Sequence, residues 1–137
     1  MLLTRECDYA LRIIRELADL ELHTVTAICN VESVPGKFAY KILKKLERAS
    51  LVKSFRGKTG GYRLIKPPGD ITLYEVVLVI DGDIFLNTCL KDGESCSNRT
   101  SEKECLFHEE FRRMQEQLIR ALSEKTVGEI LKIQCKN

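Results

Sequence analysis

The stretch Leu51-Val52-Lys53-Ser54-Phe55-Arg56-Gly57-Lys58-Thr59-Gly60-Gly61-Tyr62-Arg63-Leu64-Ile65 decides the fold. Two short runs, Leu51–Arg56 and Tyr62–Ile65, read as strands, and the segment between them holds three glycines. Glycine supplies the positive-φ positions that a tight turn requires, so the pattern predicts a β-hairpin. Upstream of it the period is helical. Thr4 caps a first helix, Glu6 and Asp8 suit the positive end of its dipole, and Ala10, Ile13, Ile14 and Leu17 form an i, i+3, i+4, i+7 stripe. A short second helix starts at about Thr24, with Val25, Ile28 and Cys29 inward, and Asn30 to Val34 reads as a turn. Pro35 falls in the first turn of a third helix, where its missing N–H does no harm. Ala39, Ile42, Leu43 and Leu46 line the buried side of that helix, and Lys37, Tyr40, Lys41, Lys44, Lys45 and Arg48 the opposite side.

Downstream of the hairpin, Pro67-Pro68-Gly69 closes the unit. Thr72-x-x-Glu75 is a capping box that opens a fourth helix through Ile80, stopped by Asp81-Gly82-Asp83. Residues 87–104 show no periodicity. A long helix follows from about Cys105 to Ser123, whose Phe107, Phe111, Met114, Leu118 and Ala121 alternate steps of four and three, a heptad-like seam for pairing with another helix. A second capping box, Thr126-x-x-Glu129, starts a short terminal helix. The expected fold class is mainly α with a small β-hairpin wing (α+β). A winged helix-turn-helix spans 1–70. Residues 71–137 form one compact unit of a loop (about 87–108) and a long dimerisation helix.

The 137 residues suit one domain, and 44% are apolar, enough for a core of ordinary size. No apolar run approaches the roughly 20 residues that span a bilayer, and Met1-Leu2-Leu3-Thr4-Arg5-Glu6 is not a signal peptide. The chain is therefore expected to be soluble and cytoplasmic, with no membrane partner and with its six cysteines reduced. Net charge is only +2, but it is unevenly spread. Between residues 37 and 66, ten basic residues (Lys37, Lys41, Lys44, Lys45, Arg48, Lys53, Arg56, Lys58, Arg63, Lys66) face one acid, Glu47. Charge that concentrated is the footprint of a polyanion. Three helices followed by a basic hairpin is the order of a winged helix-turn-helix, and the charge sits on the two elements that should meet double-stranded DNA. Lys44, Lys45 and Arg48 suit phosphate, Lys37, Tyr40 and Lys41 are placed for base edges, and Arg56, with Lys58 beside it at the glycine-rich tip, suits a narrow minor groove.

Cys89-x6-Cys96-x8-Cys105-x2-His108 gathers three thiols and an imidazole within 20 residues. The i, i+3 spacing puts Cys105 and His108 on one side of the long helix's first turn, where a thiolate is favoured. Zinc accepts such a set, although the tight Cys-x2-Cys knuckle of structural zinc sites is missing. An iron–sulfur cluster tolerates irregular spacing and a non-Cys fourth ligand, and a thiol–disulfide switch is a third use of the same residues. Cys7 and Cys29 read as packing, Cys135 as tail, and His23 as a solvated loop residue. No enzyme signature is present: Gly57-x-x-Gly60-Gly61 lacks the lysine and Ser/Thr of a phosphate loop and precedes a strand.

Taken with Leu3-Thr4, Asp8-Tyr9-Ala10-Leu11-Arg12, Leu51-Val52 leading to Arg56-Gly57 and Gly60-Gly61-Tyr62, and Thr126-Val127-Gly128-Glu129-Ile130-Leu131, the three spaced cysteines resemble the IscR/NsrR family of bacterial winged-helix regulators that carry iron–sulfur clusters. The resemblance covers nearly the whole chain. It implies a homodimer with paired long helices, two winged heads on a palindromic operator, and one cluster per subunit. It also implies a regulator, expected to repress, whose operator affinity follows the cluster's state. The cysteine gaps, six and eight residues, are longer than is usual in the family. Both family solutions for the fourth ligand are present: His108 matches the histidine of the type holding a 2Fe–2S cluster, which is favoured. Asp8 matches the aspartate that ligates a 4Fe–4S cluster from the partner subunit.

Overall fold

The computed structural model describes residues 3–100 and 103–133; Cys135 lies outside them. Six α-helices and one two-stranded antiparallel hairpin follow in the order α1 (Arg5–Leu17), α2 (Val25–Glu32), α3 (Gly36–Arg48), β1 (Val52–Phe55), β2 (Gly61–Leu64), α4 (Leu73–Asp81), α5 (Leu106–Glu124) and α6 (Val127–Ile130). Single 3₁₀ turns lie at Pro68–Asp70 and Thr88–Leu90. The expected fold class is the observed one.

Four of the six helices start at a threonine. Thr4, Thr24, Thr72 and Thr126 each accept the N–H of the residue three positions on, an interaction worth about 1 kcal/mol per helix. At Thr126 the box is complete, because the Glu129 carboxylate returns to the Thr126 N–H at 2.8 Å. At Thr72 it is not: Glu75 instead pairs with Lys66 at 2.7 Å, since an ammonium outcompetes a backbone N–H for the carboxylate. Two boundaries also differ from expectation. Helix α2 runs to Glu32 and stops where Ser33 turns left-handed (φ 55), so the turn is shorter than Asn30–Val34. Pro35 is the residue before α3, not within its first turn.

The core is built on α1. Its Cys7, Ala10, Ile13, Ile14 and Leu17 pack against Ile28 of α2, against Ala39, Ile42, Leu43 and Leu46 of α3, and against Val76, Val77 and Ile80 of α4. Val52 and Leu64, cross-strand partners at the hairpin's root, belong to the same cluster, as do Ile71 and Val127. Each fully buried aliphatic contributes about 1.5–3 kcal/mol, and this shared core joins the residues before and after position 70. The α6 backbone docks through the Val127 N–H on Ile71 O at 2.6 Å and a bridge between Thr72 and Thr126. Glu32, expected in a turn, is buried and takes a fork from Arg15 that ties α2 to α1.

His23 is no solvated loop residue. Its N–H donates to Tyr62 O at 2.9 Å and its carbonyl accepts the Tyr62 N–H at 2.8 Å, adding a one-residue third strand to the hairpin. Its ring stands between Asp19 (Nε2 to Oδ2, 2.9 Å) and Glu16 (Nδ1 to Oε1, 3.4 Å). The Asp19 carboxyl is raised by burial but lowered more by the Glu21 N–H and by His23, so it sits below its ordinary range. Gly61 makes this approach possible: a Cβ there would lie 2.2 Å from His23 O.

Among the described residues no helix is long and apolar enough to cross a membrane.

Candidate nucleic-acid interface and thiol site

Helix α3 separates its two sides cleanly. Ala39, Ile42, Leu43 and Leu46 are buried, while Lys37, Tyr40, Lys41, Lys44 and Arg48 are exposed. Lys45 stands apart from the outward group. At about 80° around the helix from Lys37 it is half-buried, donating to Glu6 Oε2 at 3.2 Å and to the Ile80 carbonyl at 3.0 Å. Lys41 pairs with the other oxygen of Glu6 at 2.7 Å. Lys41 foremost, then Lys45, holds the Glu6 carboxyl below its ordinary range. Lys45 is thus a structural tie between α1, α3 and the end of α4, which removes it from the phosphate-facing set expected above. Among the described residues, Lys37, Lys44 and Arg48 carry the positive charge of α3 that no acid pairs.

The hairpin is fixed to α3 by Glu47. Its Oε1 accepts both the Ser54 hydroxyl (2.7 Å) and the Ser54 N–H (3.0 Å), which lowers its carboxyl pKa. The lone acid of the basic segment therefore ties α3 to β1. Strand register puts Lys53 directly opposite Arg63. Two like charges so placed repel, and both lean on the Phe55 ring face, at 5.6 and 4.8 Å. This outer strand face, with Arg56 and Lys58 exposed in the turn beyond, makes the wing basic along its length. Lys53 and Arg63, counted in the basic segment but not among the expected DNA contacts, belong to this basic face. Their alternation with Phe55 was the available signal.

The thiol site lies at the other end of the chain. Cys89, Cys96 and Cys105 are half-buried free thiols, and His108 is buried on α5. Cys89 and His108 line one pocket of about 270 Å³ with Lys91, Arg99, Arg112 and Gln115. Cys105 is the residue before α5, its carbonyl accepting the Glu109 N–H at 3.2 Å. Cys96 sits in a tight turn in which its carbonyl accepts the Arg99 N–H at 3.0 Å, and Arg99 Nη1 reaches His108 Nε2 at 2.6 Å. The four residues share a neighbourhood without converging: among the described residues no three His, Cys, Asp or Glu side chains are close enough to hold one metal ion. The donor chemistry, three soft thiols and an imidazole, is of the kind that an iron–sulfur or zinc centre takes. Asp8 is exposed on α1, paired with Arg12 at 3.0 Å. Cys7 is fully buried, its thiol pushed up to about 11 by burial foremost and then by Asp81 and Asp8, and Cys29 is raised by burial; both serve packing.

The heptad seam divides. Phe107 (75% exposed) and Met114 (45%) point outward with Ala121, joined by Leu106 (80%). Phe111 and Leu118 are half-buried, Leu118 against the core, because α5's inward side is centred on His108, Gln115 and Leu122.

A helix-turn-helix carrying a basic wing, with a thiol-rich loop feeding a long outer helix, defines a winged-helix DNA-binding transcriptional regulator rather than an enzyme. The chain belongs to the Rrf2 family, whose model, described as an iron-dependent transcriptional regulator, matches residues 3–133. An Rrf2-like HTH-type transcriptional regulator of Rhodobacter capsulatus is 33% identical over 118 residues, covering 80% of this chain and 79% of that protein. Among solved structures the fold is similar to CymR, the global cysteine regulator of B. subtilis (TM-score 0.76, 23% identity, 98% of both chains). It is also similar to IscR of T. potens (TM-score 0.72, 19% identity, 100% of this chain and 94% of that one).

Proposed function

We propose that this regulator is a cytoplasmic homodimer whose affinity for a palindromic operator, and so repression, is set by an iron–sulfur centre on Cys89, Cys96, Cys105 and His108 of each subunit. The observation that carries the reading is the placement of Cys89 and buried His108 on one pocket, with Cys96 and Cys105 on the segments that enter it. The family description supports it. His108 is the better-supported fourth ligand, and with it a 2Fe–2S centre, because it already faces the thiol pocket. The partner's Asp8, the 4Fe–4S alternative, would first give up Arg12. The bound centre would supply iron that responds to oxygen, nitric oxide or iron–sulfur supply.

On DNA, α3 enters the major groove with Lys37, Tyr40, Lys41, Lys44 and Arg48, and the wing follows the backbone with Arg56, Lys58, Lys53 and Arg63. Leu106, Phe107, Met114 and Ala121 form the seam between paired α5 helices. The route from loop to reading head is also built from this chain's residues. The loop leaves α4 just after Asp81, which accepts the Thr4 hydroxyl at 2.5 Å, while the Ile80 carbonyl holds Lys45 of α3. A pull on the end of α4 therefore acts on α1 and α3 together.

A second reading, zinc or a thiol–disulfide pair on the same fold, is favoured by the lack of convergence among the donors and by the likeness to a cysteine regulator. Iron and acid-labile sulfide analysis of anaerobically prepared protein separates the two. The iron reading expects both in stoichiometric amounts with visible absorbance that Cys96→Ala abolishes. Zinc, or no metal, in that preparation would refute it.

A further inference from the structure

Resting on the reading that the wing's outer face meets DNA, we propose that Phe55 is a positioning residue for that contact. Its ring holds Lys53 and Arg63 in place for the phosphate backbone before DNA arrives. The strand register sets four residues on one face of the hairpin, with Lys53 opposite Arg63 and Phe55 opposite Gly61. The two cations are exposed and Phe55 is half-buried. Gly61 brings no side chain to this face, so the ring has room to lean along the strands. Its centroid lies 5.6 Å from Lys53 Nζ and 4.8 Å from Arg63 Cζ. Both fall within the reach of about 6 Å over which an aromatic face attracts a cation.

Two like charges directly opposite each other repel and, left alone, splay into solvent. Among the described residues no carboxylate pairs with either one. Glu47, the one acid of the basic segment, is bonded to Ser54, which alternates to the other face of β1. The negative face of the Phe55 ring is thus the local attraction that lets both cations stand together. A carboxylate in its place would cancel their charge and occupy their donors; the ring does neither. Lysine and arginine otherwise carry much rotamer freedom, which contact with DNA has to remove. Held on Phe55, they meet phosphate with part of that ordering already done.

The test uses the full chain and a labelled DNA duplex of arbitrary sequence, because backbone contacts carry no sequence information. Affinities are read by fluorescence anisotropy. Phe55→Leu should weaken binding about fivefold or more, the scale of ordering two freed side chains, whereas Phe55→Tyr keeps the ring and should stay within about twofold of wild type. The double variant Lys53→Met/Arg63→Met should bind more weakly and flatten the salt dependence by about two phosphates' share. Adding Phe55→Leu to that double variant should change the affinity no further, since nothing is left for the ring to hold. A ring that only braced the hairpin would cost the same factor again there. An unchanged affinity in Phe55→Leu, an equal loss in Phe55→Tyr, or a second full loss in the triple variant overturns the proposal. If the double variant binds as wild type with an unchanged salt slope, the reading of the wing face itself fails, and the role of Phe55 goes with it.

Discussion

Replacing Gly61 by alanine should unpin the wing. The residue sits at φ +152, where an L side chain is strained, and its Cβ would stand 2.2 Å from His23 O and 2.7 Å from His23 C. Backbone atoms cannot swing aside as side-chain ends do, so the His23 strand must retreat. It then loses two hydrogen bonds, of 2.9 and 2.8 Å. At about 0.5–1.5 kcal/mol for each bond and about 1–3 kcal/mol for strain that is not relieved, the cost is about 2–6 kcal/mol. That is a large part of the 5–15 kcal/mol typical of a domain. Urea unfolding followed by far-UV circular dichroism measures it: a loss of about 3 kcal/mol moves the midpoint down by about 1–3 M at constant slope. Gly36→Ala is the control, because a Cβ there meets nothing within 4 Å; it should be neutral or stabilising by about 0.4–1 kcal/mol. If Gly61→Ala stays within about 0.5 kcal/mol of wild type, the His23 pairing does not hold the wing and the reasoning fails.

Arg56→Ala should weaken operator binding and flatten its salt dependence by about one phosphate's share, whereas Lys45→Ala should lower stability by about 1–3 kcal/mol, the cost of lost hydrogen bonds to a charged group, and leave the salt slope unchanged. Titrations of operator DNA at several salt concentrations, with thermal melts, separate the two; a changed slope in Lys45→Ala would return that residue to the DNA face. Phe107→Glu should shift the sedimentation profile from dimer towards monomer without lowering monomer stability, because the ring is 75% exposed within one chain; an unchanged dimer would move the seam elsewhere. Cys7 gives a pH signature. The fold holds its thiol at about 11 while the unfolded chain ionises near 8.5–9, so stability is complete below that range and about 2–3 kcal/mol is lost as pH rises through 11. Stability curves of wild type and Cys7→Ala should therefore converge at alkaline pH, and parallel curves would contradict the assignment.

The elements that one segment specifies by itself were legible. Threonine caps, helical stripes and a glycine-rich hairpin need only neighbours in sequence, and the same holds for the concentration of charge between 37 and 66. Contacts made by distant segments were not. Nothing in the residues around His23 announces that its backbone will meet Tyr62, because backbone pairing carries no side-chain signal; only Gly61, where a Cβ is forbidden, marks the place. A helical wheel puts Lys45 on α3's polar side but does not say that Glu6 and the end of α4 lie against that flank. The same limit explains Glu75, which leaves its box for Lys66, and Arg99, whose reach to His108 depends on how the turn at Cys96 folds back on α5.

In the proposed regulator the Cys89–His108 region governs DNA affinity. Fluorescence anisotropy of a labelled operator fragment, with anaerobic protein before and after its iron is removed from the same sample, tests this most directly. Removal should change the dissociation constant by about tenfold or more, the usual scale of coupling between sites, and bring it to the value of Cys96→Ala. Identical affinities in the two states, at matched salt, would contradict the account.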